Sequence, residues 1–358
     1  MAIKKSVGDF NRFADKFEKS FGVGTLKAAR DQNPYEIVST GALGLDHACG
    51  VGGLVEGRIL EIWGPDAVGK STLALMMVAE SQKKQPERKT AWVDMEHVHD
   101  NAWAEAHGVD IDNHFVYLPN SAEDVADAVK DMLQSGLFSM VVLDSIGAMI
   151  PEAEKEKDAD KAVMAKQAQI VTRMVKISAV EAYNTDTILV LINQVRANLG
   201  YGADMTTGGG FALKHCSTMK FKLSRTSTTP FQVRSGGEVI TVGHEIKVKV
   251  ERNKVSPPGR DATLVLFNQP SKYGPIGLDK VDEAVSLGIR LGVIKQGGAF
   301  YTLDGEFEKV KSRDSVIELF REKPELVSKV RERVLALTED EIIIDDIESD
   351  LADLSEVE

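Results

Sequence analysis

Hydrophobic and polar positions change period several times along the chain, and each change predicts a different kind of element. From Ser6 to Phe21, Phe10, Phe13, Ala14, Phe17 and Phe21 recur at i, i+3, i+4, i+7 and i+11. This spacing predicts an amphipathic helix with a phenylalanine stripe, packed on its own domain or buried on a neighbouring subunit. Between Arg58 and Gln194 the pattern becomes four continuous apolar runs: RILEIWG, TAWVDME, MVVLDS and TILVLINQ. Runs without alternation predict parallel strands covered on both faces. The helical stretches Ser71–Lys84, Ser121–Gln134 and Ala162–Tyr183 separate them. Together they predict an α/β fold with a mostly parallel sheet, right-handed crossovers and a ligand at the strands' carboxyl ends.

Further on, the period becomes two. Ile246, Val248 and Val250 alternate with Lys247, Lys249 and Glu251. With STMKFKLSR and ATLVLFN, this segment predicts antiparallel strands that extend the sheet. A third unit begins near Leu278, with helices expected at Asp279–Leu291 and Arg313–Ala336 and a hairpin-like GAFYTLDGEFEKV between them. One stretch follows neither period: INQVRANLGYGADMTTGGGFALKH, Ile192 to His215, with five glycines. A loop this long inside a compact domain is either a misread element or a segment kept irregular for function.

Composition narrows the class. At 358 residues, 43% hydrophobic and 27% charged, the chain is a soluble globular protein, long for a single core. No run approaches the roughly 20 apolar residues of a membrane helix, and MAIKKSVGDF lacks the apolar region of a secretory signal. Cys49 and Cys216 lie far apart, which excludes a disulfide framework or cysteine-rich zinc site and fits a reducing cytoplasm. The net charge of −12 is concentrated at one end. Glu339–Glu358 holds ten acidic residues and no Lys or Arg, which leaves −2 for the other 338 residues. That tail reads as a disordered solvating segment, or as one that competes with a polyanion for basic surfaces elsewhere.

The chemistry is densest at GPDAVGKS, which matches the phosphate-loop pattern GxxxxGK[ST] between an apolar strand and a helix. Gly64, Pro65, Asp66, Ala67, Val68, Gly69, Lys70, Ser71 and Thr72 would cradle the phosphates through backbone N–H groups and the helix N-terminus. Lys70 adds a cation there, and the Ser71 hydroxyl would reach Mg²⁺. Asp144 ends a buried strand where a metal-orienting carboxylate belongs. Glu96 lies just past another strand end and could polarise an attacking water; alternatively Glu96 or Asp94, Asp94 above all, caps the following helix. Gln194 ends the strand that opens the long loop. An amide sensing the γ-phosphate at the root of such a loop is the physical form of a nucleotide switch.

From about Glu36 to Val334 the chain resembles the bacterial RecA recombinase family, by IVSTGALGLDHACGVGGLVEGRILEIWGPDAVGKSTL, VDMEH, VVLDS, INQVR, TTGGGFALK and NKV in the family's order. The resemblance implies a P-loop ATPase core and a DNA-dependent ATPase that uses ATP and Mg²⁺. Such a protein forms helical filaments on single-stranded DNA and exchanges strands with homologous duplex in recombinational repair. It implies an N-terminal oligomerisation helix and arm (1–35), an ATPase core with two DNA-binding loops (36–277), a small C-terminal domain (278–337) and an acidic disordered tail (338–358). By position, Asp100 and Trp103 would contact adenine, while Arg252 and Lys254 would reach the ATP of the adjacent subunit as cations acting in trans. Glu154–Met164 corresponds to the first DNA loop, with Met164 and Ala165 at its apolar end, although Glu154–Lys161 alone reads equally as a solvated turn. Val195–Phe211 corresponds to the second, with Arg196 on phosphate and Asn198, Thr207, Gly208, Gly209 and Gly210 within it.

Arg173 and Lys176 belong to a basic stretch, 155–225, that also includes Arg225 and could meet DNA phosphates. Single-strand-binding or loader proteins are candidate accessory partners. Several positions depart from the family pattern: Trp103 for tyrosine, Arg252 for lysine, Gln169 for arginine, His215 for an aromatic residue and Ser71 for threonine. They describe a divergent member, phage-encoded or otherwise distant. A ring-forming helicase motor on the same core is the alternative, set back by the roughly 35 residues before the core. If the acidic tail competes with DNA, removing Glu339–Glu358 should strengthen duplex binding at low salt; a titration with unchanged affinity assigns the tail a solubility role only.

Overall fold

The computed structural model describes residues 7–22, 26, 34–151, 161–196, 206–207, 210–226, 230–235 and 238–337. The chain divides into two compact units, the first of which ends at Glu36. Its helix α1 (Val7–Phe21) aligns Phe10, Phe13, Phe17 and Phe21 in a ladder with successive ring centroids 6.4, 5.7 and 4.5 Å apart. Phe10, Phe13 and Phe21 are exposed.

The second unit opens with β1 (Ile37–Val38), α2 (Leu43–Ala48) and β2 (Leu54–Val55), where β1 and β2 pair antiparallel. Alternating strands and helices follow: β3 (Ile59–Gly64), α3 (Lys70–Lys84), β4 (Lys89–Asp94), α4 (Asn101–Ala106), β5 (His114–Tyr117), α5 (Ala122–Ser135), β6 (Phe138–Asp144), α6 (Lys161–Thr185) and β7 (Ile188–Arg196). Next come β8 (Thr206–Thr207), α7 (Gly210–Cys216), β9 (Met219–Arg225), β10 (Phe231–Ser235), β11 (Glu238–Asn253), β12 (Asp261–Phe267) and β13 (Gly277–Leu278). The last group is α8 (Lys280–Arg290), β14 (Lys295–Gly297), β15 (Phe300–Leu303), β16 (Phe307–Lys311), α9 (Arg313–Glu322) and α10 (Glu325–Ala336).

Eleven of the described strands form one sheet, in the order β13-β12-β11-β9-β3-β7-β6-β4-β5, with β10 on β11 and β8 on β7. All pairings from β9 to β5 are parallel, and those from β9 to β13 are antiparallel. The four apolar runs became β3, β4, β6 and β7, because both faces are covered. Leu60, Ile62, Val142 and Val190 enter one core with α3. Ile59, Val141, Leu189 and Leu191 enter the other with α5 and α6. Helix ends follow local chemistry. Ser121 accepts from the Asp124 N–H to start α5, which ends on the left-handed Gly136.

The structure corrects the sequence reading in several places. β9 was expected in an antiparallel extension; it pairs antiparallel with β11 but parallel with β3, so it is the seam between the two halves. The single helix expected at Arg313–Ala336 is two, because Pro324 holds Lys323 out of the helical region. The expected hairpin is a three-stranded sheet, β14-β15-β16. β5 and β10 go beyond the sequence reading: β5 is a short edge strand without alternation, and β10, FQVRS, alternates but is a five-residue run on a solvent-facing ribbon. Part of the irregular stretch is regular, since β8 pairs with Val195–Arg196 and α7 starts at Gly210.

A separate core joins α8, α9, α10, β15 and Leu43. It is tied to α2 by buried polar contacts. Asp46 accepts from Ser39, from the N–H and hydroxyl of Thr40, and from Arg331 at 2.7 Å. Glu283 receives the N–H groups of Leu43 and Gly44 at 3.0 and 2.9 Å. Phe320 is wholly buried in this core and packs edge-on to Phe307. Phe320→Ala should therefore lower unfolding stability by about 3–5 kcal/mol in urea titration; a loss below about 1 kcal/mol would mean that the third core adds little.

Candidate nucleotide site

The site forms where four strands end. In register, Gly64 of β3 lies opposite Gln194 of β7, and Asp94 of β4 opposite Asp144 of β6. Residues 64–72 leave β3 and turn into α3. Gly64 is needed there because a Cβ would lie 2.5 Å from the Leu223 carbonyl oxygen. Gly69, with φ +98°, turns the chain into α3 in a conformation that side chains rarely adopt.

The resulting cleft, about 480 Å³, is lined by Asp66, Ala67, Gly69, Lys70, Ser71 and Thr72, with Glu96, Asp144, Gln194, His244 and Asn268 opposite them. Lys70 folds back, and its ammonium donates to the carbonyls of Gly64 and Pro65 at 3.1 and 2.8 Å. Ser71 donates to Asp144 at 2.7 Å. Glu96 accepts from Ser145 at 2.6 Å and from the Gln194 amide at 3.0 Å, so carboxylate and amide meet directly. Asp94 does not enter the cleft: it accepts from the N–H groups of Glu96 and His99 and shapes the turn between them.

Charge in the cleft is held under tension. Burial pushes the Asp144 carboxyl up to about 6; Glu96 and Asp94 push the same way, while Ser71 and Lys70 oppose it. Burial also lowers the Lys70 ammonium, against the pull of Asp66, Asp144 and Glu96. Carboxylates and an ammonium in one half-dry cleft suit a ligand that brings both negative charge and a hard cation. A larger cavity, about 600 Å³, lies under α8 and α9, but no phosphate-loop residue lines it, and its Arg313–Asp282 and Arg321–Asp279 pairs occupy one another.

Other named residues lie elsewhere. Asp100 caps α4 by accepting from the Trp103 N–H at 3.1 Å, and Trp103 packs on the core and against His107; neither lines the cleft. Arg252 and Lys254 also lie away from it, at and just past the end of β11, and the Lys254 ammonium donates to the His215 carbonyl at the end of α7. Arg173 and Lys176 are exposed on α6. Met164 and Ala165 lie in the first two turns of α6, Arg196 ends β7, Thr207 belongs to β8 and Gly210 opens α7. Asn198, Gly208 and Gly209 lie outside the described residues, as do 152–160 and the tail.

Several contributors were missed. Ser145 follows the predicted Asp144 directly, so VVLDS contained the signal. Arg225 was grouped with basic residues for DNA, yet it donates to the Ala67 carbonyl of the phosphate loop at 2.7 Å. His244 and Asn268 arrive from β11 and the end of β12, which no local motif places near residue 67.

The sequence profile described as "RecA N-terminal domain" matches residues 10–270. The chain is 34% identical over 340 residues to Protein RecA of Caulobacter vibrioides, covering 93% of this chain and 91% of that protein. It is 35% identical over 332 residues to Protein RecA of Chlorobium chlorochromatii, covering 91% and 90%. With Protein RecA of Rickettsia prowazekii the identity is 34% over 334 residues, covering 90% and 93%.

Asp144 supplies a stability test. Its ordinary value is 3.8, so between about pH 4 and pH 6 the folded chain holds a proton that the unfolded chain releases. The stability it contributes is present below about pH 4 and is lost as pH rises through 6. Without nucleotide or divalent cation, Asp144→Asn should be more stable than the parent at pH 8 by about 3 kcal/mol and lose that advantage near pH 4. An equal difference at both pH values would assign Asp144 an ordinary, unshifted titration.

Proposed function

The chain belongs to the RecA family of DNA recombinases, and on that premise we propose that it hydrolyses ATP in response to single-stranded DNA while pairing that strand with homologous duplex. The observation that carries this reading is the contact of Glu96 with Gln194, directly across from Lys70, Ser71 and Asp144. A carboxylate, a strand-end amide and a phosphate loop in one cleft are the parts that in-line phosphoryl transfer to water requires.

The donor set fits a magnesium nucleotide. Among the described residues no group of three or more His, Cys, Asp or Glu is arranged to hold a metal on its own. A cation bound mainly by phosphate oxygens and water, with the Ser71 hydroxyl as protein ligand and Asp144 as its acceptor, suits the coordination Mg²⁺ prefers. When bound, it would neutralise charge on the phosphate oxygens. The protein's part is positional. Lys70 would exchange its two loop carbonyls for phosphate, and backbone N–H groups at the start of α3 would hold the rest. Glu96, fixed by Ser145, would accept the proton of the attacking water. Gln194 would trade its bond to Glu96 for one to the terminal phosphate, which ties β7 and everything after Arg196 to the nucleotide state.

Arg252 and Lys254 would complete a neighbouring protomer's site, so turnover would need the assembled filament. DNA would engage residues 154–165 and 195–211, where charge neutralisation and insertion between bases favour single strands. No helix among the described residues is long and apolar enough to cross a membrane.

The direct test is ATP hydrolysis by the full chain with and without single-stranded DNA, with electron microscopy of the same samples. DNA should raise turnover and produce filaments; rings, or turnover indifferent to DNA, would favour a helicase motor. Lys70→Ala should abolish hydrolysis, and Glu96→Gln should slow it by at least about a hundredfold while leaving filaments stable. Normal turnover in Glu96→Gln would remove Glu96 from the chemistry.

A further inference from the structure

The end of β11 carries a feature that the site itself does not use. Its pairing with β9 shifts register: Val250 lies opposite Phe221, but Arg252 opposite Lys220, so Glu251 is an extra residue in a β-bulge. A bulge turns the side chains that follow it, and unless something fixes the extra residue, their direction is loosely set. Here the extra residue is fixed from two strands away. The Trp63 indole reaches across β9, and its Nε1 donates to the Glu251 carboxylate at 2.8 Å.

Trp63 is itself held firmly. It is only 5% exposed, and the ammonium groups of Lys220 and Lys222 each lie 4.9 Å from its ring centre. Lys220 is also paired with Glu61 of β3 at 3.3 Å, and Glu61 accepts from Asn193 of β7 at 3.2 Å. Three members of this chain adjoin residues of the proposed machinery: Asn193 precedes Gln194, Trp63 precedes Gly64, and Glu251 precedes Arg252. A buried indole N–H needs an acceptor wherever it sits. That need alone does not choose a carboxylate on a bulge beside Arg252.

We propose that Trp63 and Glu251 are positioning residues that lock the β11 bulge and so aim Arg252 at the nucleotide of the neighbouring protomer. The inference rests on the reading of Arg252 as a cation acting in trans. Its consequence is that the strand feeding one protomer's phosphate loop also sets the cation delivered to the next site.

The experiment uses the full chain and DNA-stimulated ATP hydrolysis. Trp63→Phe and Glu251→Ala should each lower kcat about tenfold with little change in KM, as expected when a group acting in the transition state is misplaced by about an ångström. The double variant should fall no further than either single one, because both remove the same bond. Glu251→Gln, which keeps an acceptor for the indole, should stay near the parent. Mixing Glu251→Ala protomers with Lys70→Ala protomers should restore turnover above either variant alone, since each supplies the half-site that the other lacks.

Arg252→Ala separates the two levels. If it loses turnover while Trp63→Phe and Glu251→Ala keep theirs, the positioning role is wrong and the trans cation stands. If Arg252→Ala turns over normally, the cation reading itself fails. A loss in Glu251→Ala that comes with a lower melting temperature and no gain on mixing would make the contact merely structural and overturn the inference.

Discussion

The parallel register of the central sheet is the constraint on which the candidate site depends. Pairing β3 with β7 sets Gly64 opposite Gln194, and pairing β4 with β6 sets Asp94 opposite Asp144. A slip of one residue would turn every side chain on a strand to the other face. Here that would send Asp144 away from Ser71 and break the contact between Gln194 and Glu96. The two apolar cores prevent such a slip. Leu60 and Ile62 fill one face while Ile59 fills the other, so burial on both sides fixes the polar strand ends to the same cleft.

Within that cleft the fold holds charges in place before any ligand arrives. Burial, helped by Glu96 and Asp94, raises the Asp144 carboxyl, and burial lowers the Lys70 ammonium, while the contacts to Ser71 and the loop carbonyls occupy both groups in the meantime. A ligand that brings negative charge and a hard cation would relieve that tension once Lys70 releases the loop carbonyls. The Asp144 contribution to stability and its contribution to binding therefore have opposite signs.

The seam at β9 gives the molecule a second kind of connection. Parallel strands on one side carry the phosphate loop and the Gln194 strand, and antiparallel strands on the other carry Arg252. The polar groups crossing that seam run from buried Asn193, Glu61 and Lys220 through Trp63 to the exposed Glu251, and the buried ones are expensive unless each is paired. Hydrophobic replacements would suffice for packing alone. A paired polar row instead fixes register and side-chain direction at strand ends.

Much was legible in the sequence because it is local. Continuous apolar runs gave the parallel strands; the GPDAVGKS pattern placed Lys70 and Ser71; VVLDS, VDMEH and INQ placed the strand-end polar groups. Helix stripes and caps follow from neighbours three or four residues away. What the sequence left open depends on partners distant along the chain. Arg225 reaches back 158 residues to Ala67, and Trp63 reaches 188 residues forward to Glu251, across a strand whose parallel and antiparallel faces no periodicity reveals. The pairing of Thr206–Thr207 with Val195–Arg196 was likewise settled by backbone pairing. Local pattern determined the central parallel strands and most of the helices between them. Tertiary structure alone decided which strand ends share a cleft, because register comes from burying two cores at once.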